Sequence, residues 1–281
     1  MRRLLKLLVA GVVAAVVVGA AFVAWYVLTR DDAPDAVDLS ATVERLAGAT
    51  TAPPQAGGDE TAAAQSGPTG GAESGDSDPA ASSASSDGGA GSAAGGGLAG
   101  TWQLQASDDP GDLQDQPTVS FAGFRVDEVL STIGDFTAAG RTADVSGTVE
   151  LSDTELLAAE VTVMMSTLRT DNSFRDGRIY EALNTSDFPT ATFVLAAPLG
   201  LPPGLADGEA FSGVAEGDLT IKGVTNRVSF SLEAQLLGDR LLAVGRSEVV
   251  FSDYGVTAPT APIVVSVEDH GIMEFQLFFA R

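Results

Sequence analysis

The sequence predicts an all-β fold: a closed antiparallel β-barrel with one short helix in a connecting loop, preceded by an N-terminal transmembrane helix and a disordered linker. Three observations predict it. Between Leu98 and Arg281, apolar and polar residues alternate with a period of two in one run after another. The runs recur at similar spacing, with turn residues between them. The texture of the chain also changes at Leu98, from a stretch with almost nothing to bury to one rich in Val, Leu, Phe and Ile.

The N-terminal segment, MRRLLKLLVAGVVAAVVVGAAFVAWYVLTRDD, sets Arg2, Arg3 and Lys6 before an uncharged run from Leu7 to Leu28. At about 1.5 Å per helical residue that run spans about 33 Å, enough for a bilayer core. Trp25 and Tyr26 stand where an interfacial aromatic belt belongs. The three early cations, against Arg30, Asp31 and Asp32, favour the N-terminus in the cytoplasm and the rest of the chain outside it. A cleaved signal peptide is the rival reading, because Val18-Gly19-Ala20 ends in a residue that a peptidase accepts. A cut there would leave the apolar tail AFVAWYVL, so residues 1–30 are read as a retained single-pass anchor.

Residues 31–97 are read as a linker. After a short acidic stretch, Asp31–Gly48, with room for one weak helical turn or two, residues 49–97 are almost entirely Ala, Gly, Ser, Thr, Pro, Asp and Glu, a composition that cannot bury enough to order itself. As flexible coil the stretch has a mean reach of about 45 Å. That would hold a domain well off the membrane.

The barrel domain is read as 98–281. RVSFSLEAQLL sets Val228, Phe230, Leu232 and Ala234 on one face, against Ser229, Ser231 and Glu233. AAEVTVMMSTL sets Val161, Val163 and Met165 opposite Glu160 and Thr162. DLTIKGVT alternates and breaks at Lys222-Gly223, as a hairpin does. Similar runs lie near 101–105, 118–126, 143–151, 190–197, 240–251 and 272–280, and about eight strands suffice to close a barrel around a core or one ligand. Between two of them sits RTDNSFRDGRIYEALNTSDFPTATF, residues 169–193. Here Asp171 and Asn172 supply a helix cap, and Ile179 with Leu183 an i, i+4 apolar pair to lie on the barrel. Arg175 and Asp176 form a local ion pair or satisfy loop carbonyls; the sharper reading makes Arg175 or Arg178 a counter-charge for the anionic head of a ligand.

Charge and composition exclude several functions. Fifteen Lys and Arg against 38 Asp and Glu give a net charge of −23, which works against nucleic acid as a partner. Residues 98–281 alone hold ten basic against 27 acidic residues. The absence of cysteine removes disulfides, thiolate metal sites and Cys nucleophiles. The one histidine, His270, stands in the turn-like VEDHGIME, without a nucleophile elbow or a second metal-ligating His elsewhere in the chain. No enzyme, metal site or cofactor is expected. Strand parity points Phe124, Val126, Val161, Val163, Met165, Phe193, Ile221, Phe230 and Leu232 inward, where they form either a solid core or the lining of a ligand cavity.

Gly100-Thr101-Trp102 opens the domain and resembles the Gly-x-Trp with which lipocalin-like barrels lay an indole across one end; the other reading is an ordinary half-buried tryptophan. Ser166, Thr167, Leu168, Thr170, Arg175, Asp176, Phe188, Pro189, Thr192 and Phe193 follow in order. Next come Gly217, Leu219, Thr220, Gly223, Val224 and Thr225, and then Arg246, Ser247, Asp253, Tyr254 and Gly255. In this order and spacing the chain resembles the YceI family, the polyisoprenoid-binding, lipocalin-like proteins. One departure is plain: FRVDE stands where the family has a histidine near the end of an early strand. The resemblance implies a closed barrel with an elongated apolar cavity for a polyisoprenoid or other long-chain lipid. With the anchor, it leads to a membrane-tethered extracytoplasmic lipid-binding protein. The alternative is a tethered, non-catalytic interaction or sensor module whose barrel is packed shut.

Overall fold

The computed structural model of the chain describes residues 33–51, 97–107, 113, 118–131, 134–259 and 261–281. The expected anchor over 1–30 and most of the expected linker lie outside the described residues. Among the described residues no helix is long and apolar enough to cross a membrane.

The strands are β1 (Gly100–Leu104), β2 (Phe121–Leu130), β3 (Gly134–Thr142), β4 (Val145–Leu151), β5 (Glu155–Met164) and β6 (Thr190–Leu195). They continue as β7 (Leu199–Gly200), β8 (Phe211–Ile221), β9 (Val224–Leu237), β10 (Arg240–Val250), β11 (Val264–Val267) and β12 (His270–Ala280). Helix α1 runs Leu39–Thr51 and α2 runs Ser173–Leu183. All strand pairings are antiparallel. The wall follows the order β1-β4-β5-β6-β8-β9-β10-β12, and β12 closes it on β1 through Gln103↔Ala280 and Leu104↔Phe279. This is an eight-stranded closed barrel. Closure leaves no strand of the ring with a wholly unpaired edge.

Two elements complete the upper wall. β12 pairs with β1 only near its end, and its earlier part, Ile272 to Gln276, pairs with β2. The β2–β3 hairpin fills that wedge, and Arg141 of β3 bridges back to Arg169. The turn signals read from the sequence are used as expected. At the β8–β9 hairpin Lys222 and Gly223 have φ of 52° and 76°, the positive values that a two-residue hairpin loop requires. At the opposite end, the base, Trp102 is 1% exposed and donates its Nε1–H to the Leu98 carbonyl at 2.9 Å. The Arg281 guanidinium covers its ring at 4.4 Å. The indole does close one end of the barrel.

The structure corrects the linker expectation for its first part. Residues 33–51 are not free coil: α1 and the residues before it lie along the outside of the barrel, with Val37, Leu39 and Thr42 buried. The physical reason lies in the wall beneath. Toward the base, β10 and β12 are apolar on both faces, and their outward Leu242, Val244 and Phe278, with Phe121, need cover that solvent cannot give. The segment also satisfies a polar group of Arg141 and Glu274, both 2% exposed and joined at 2.7 Å. Arg141 donates to the Asp35 carbonyl at 2.7 Å, and the Val37 N–H donates to Glu274 at 3.3 Å. Thr42 donates to the Gln276 side chain at 2.7 Å. Two strands not expected from the sequence, β3 and β11, flank β2.

Candidate functional site

Inside the barrel lies an apolar cavity of about 170 Å³, and above it, under α2, a second of about 240 Å³. Phe124, Met165, Ile221 and Met273 line both, so the two meet at a shared collar. The inner wall is apolar or glycine apart from Thr192 and Glu274, and the Glu274 carboxylate faces Arg141 on the outer surface. The two cavities follow one another from the packed base toward the helix-capped end.

The strands set this lining by parity. On β5, Val161 and Val163 point in, and Met165 follows at the collar. On β9, Phe230 and Leu232 do so, and on β8 Leu219 and Ile221. Phe193, Phe230 and Phe275 form an aromatic run across the inner cavity, with ring centroids 5.3 and 5.4 Å apart. Two glycines make room for it. A Cβ on Gly217 would come within 2.3 Å of the Phe193 ring, and one on Gly245, opposite Phe275, within 2.4 Å of that ring. Alternating large and small residues across the pairing lets three rings enter a narrow barrel without closing it.

The structure places all nine of the predicted lining residues on the cavity walls. Val126 lies in the outer cavity, Phe124, Met165 and Ile221 at the collar, and Val161, Val163, Phe193, Phe230 and Leu232 in the inner one. Phe275 and Met273 were missed, although the alternation in IMEFQLF marks their parity. Tyr254 and Ile263 were missed for a better reason: they come from loops, where no period identifies a wall.

The capping helix differs in detail from expectation. Asn172 caps α2 by accepting from the Phe174 N–H at 2.9 Å, and Ile179 is buried. Arg175 does not pair with Asp176. It bonds Asp171 one turn back and reaches across the mouth to Glu128 on β2 at 3.0 Å. Asp176 instead accepts from the Thr170 N–H and hydroxyl at 2.8 and 2.7 Å, tying the helix to the strand end before it. Arg175 and Arg178 both line the outer cavity, but the Arg175 charge is already answered by two carboxylates. Below them Tyr254 is 2% exposed, and burial raises its phenol above the ordinary pKa. His270 begins β12 with its Nδ1 3.9 Å from Glu268, at the surface and away from both cavities.

Comparison with known proteins gives the following. The family model described as a YceI-like domain matches residues 114–279. No curated protein matches the chain. Among solved structures, a polyisoprenoid binding domain from Saccharophagus degradans is 18% identical, with a TM-score of 0.48 over 64% of this chain and 97% of that one. BcnA of Burkholderia cenocepacia is 19% identical, with a TM-score of 0.44 over 56% of this chain and 95% of that one. The YceI protein of Campylobacter jejuni is 18% identical, with a TM-score of 0.43 over 50% of this chain and 84% of that one.

Proposed function

The chain belongs to the YceI-like domain family, and from that premise we propose that it is a non-catalytic lipid carrier, anchored to a membrane by its N-terminal segment, with its barrel outside the cytoplasm. The ligand is a polyisoprenoid or another long-chain apolar lipid. The observation that carries this reading is the pair of adjoining apolar cavities. The two cavities together fall within the range of about 300–1,000 Å³ usual for ligand pockets, and their collar of Phe124, Met165, Ile221 and Met273 is made of side chains that can move aside. The inner cavity, apolar or glycine apart from Thr192 and Glu274, offers little to orient a polar substrate. It suits a hydrocarbon chain, which is selected by length and width rather than by hydrogen bonds.

The mouth supplies the polar end. Arg175, Arg178 and Glu128 stand on the lining of the outer cavity, where a lipid's head would emerge. Because Glu128 and Asp171 already hold Arg175, an anionic head group must compete for it, and a neutral alcohol head does not have to. The test uses soluble protein covering residues 33–281 with Val163 changed to Trp. Val163 faces the inner cavity between Val145 and Ala191. The expected result is a folded variant from which a polyprenol no longer displaces an apolar fluorophore that it displaces from the wild type. A folded Val163→Trp protein that binds polyprenol as the wild type does would remove the cavity as the ligand site.

A further inference from the structure

We propose that residues 33–46 lash the barrel to the membrane with its helix-capped end toward the lipid surface and at close range, so that the rim around Phe174, Ile263 and Val265 meets the bilayer. This rests on the reading of Leu7–Leu28 as an anchor and adds to it a distance and an orientation.

The strap has a direction. The Pro34 carbonyl accepts from Arg125, the Asp35 carbonyl from Arg141, Glu274 from the Val37 N–H, and Gln276 from Thr42. Arg125 stands opposite Ile272 and Phe121 opposite Gln276, so the strap enters at the upper level and descends toward the base. The chain before Pro34 therefore leads off from the upper half of the barrel.

The strap also fixes a distance. From Leu28, the end of the apolar run, to Pro34 there are six residue steps, about 20 Å when fully extended. From Arg125 to Leu130, at the rim, is about 17 Å of strand, and less along the axis of a tilted barrel. The end of the apolar run can reach the plane of the rim and little beyond it. The low-complexity stretch adds nothing to this separation, because its ends, Thr51 and Gly97, both belong to the strapped barrel.

The surface at that end suits a lipid face. Of the nine exposed large apolar side chains among the described residues, six (Phe174, Phe188, Val224, Val250, Ile263 and Val265) lie at the helix-capped end, while Leu157, Val194 and Val214 stand lower on the wall. Phe174 is 85% exposed, and Val265 66%. Ile263 and Phe174 border the outer cavity, and the Ile263 carbonyl accepts from Ser131 at the tip of β2–β3. Charge does not replace this contact, because the acidic domain is repelled by anionic lipid. A short leash and an apolar rim bring the cavity mouth to a surface that its charge alone would avoid.

The chain has no cysteine, so single-cysteine variants report position directly. The full chain, carrying a fluorophore at Val265→Cys or at Asp239→Cys in the base hairpin, is reconstituted in phosphatidylcholine vesicles containing a quencher-labelled lipid. The expected result is quenching at position 265 several-fold stronger than at 239. Inserting about thirty Gly and Ser residues between Arg30 and Asp31, which adds about 30 Å of mean reach, should abolish the difference. Deleting residues 53–95 should leave it. Equal quenching at both positions, or quenching at 265 that survives the insertion, would overturn the proposal while leaving the anchor intact. A chain that does not float with the vesicles would overturn the anchor reading and the proposal with it. Neither result bears on whether the cavity takes lipid.

Discussion

At the scale of single residues, side chains on the two faces of one strand do different jobs. On β12, Phe275 faces the cavity and Glu274 faces outward to Arg141, although the two are neighbours in sequence. The Arg141–Glu274 pair is closed off by Phe121, 4.6 Å from the guanidinium, and by the strap. Removing one partner of such a pair leaves the other charge buried and uncompensated, at a cost of about 3–5 kcal/mol. Glu274→Gln should therefore lower stability by about that amount in chemical denaturation of residues 33–281, and a change below 1 kcal/mol would show that the pair is solvated. Phe230, between Phe193 and Phe275, makes the opposite case. A fully packed phenylalanine costs about 3–5 kcal/mol when truncated to alanine. Phe230 is packed on two sides and borders open space on another, so Phe230→Ala should fall at the low end, near 3 kcal/mol. A loss of 5 kcal/mol or more in the same assay would mean that no cavity lies beside the ring.

At the scale of elements, the strap is the clearest departure from what the sequence foretold. Val37 and Leu39 are each 5% exposed, and burying such side chains is worth about 1.5–3 kcal/mol apiece before their partners on the wall are counted. Shortening the protein from 33–281 to 97–281 should therefore cost several kcal/mol. For a domain of this size that is a Tm lower by about 10 °C or more. Deleting 53–95 should leave the Tm within a few degrees, and equal melting of 33–281 and 97–281 would contradict the docked strap. The strap was missed because DAVDLSATVERLAGA carries only a weak apolar stripe beside a long polar tract. A better signal sat elsewhere, in the unbroken LLAV of β10, which tells of a strand covered on both faces. Other elements were legible for plain reasons. β5, β8 and β9 alternate cleanly, so their inward residues could be named, and Lys222-Gly223 marks its own turn. β3, GDFTAAGRT, was not legible, because small and polar residues dilute its period and its place in the wall comes from pairing with β2. The link between Arg175 and Glu128 joins residues far apart in sequence, and no local pattern carries it.

At the scale of the whole molecule, fold and family were readable from the sequence because motif order and strand parity agreed with each other. The division of the interior was not. Parity says which side chains point inward, but only the sizes of those facing one another decide whether the interior fills. Near the base Trp102, Leu98 and Leu205 fill it; higher up, Gly217 and Gly245 face large rings and leave space beside them. The central claim is that this space holds a long-chain lipid, and native mass spectrometry of purified residues 33–281 tests it most directly. The predicted result is a barrel carrying one long-chain apolar lipid, absent from a folded Val163→Trp variant purified in the same way. A wild-type barrel that emerges empty, and stays empty after incubation with a polyprenol, would contradict it.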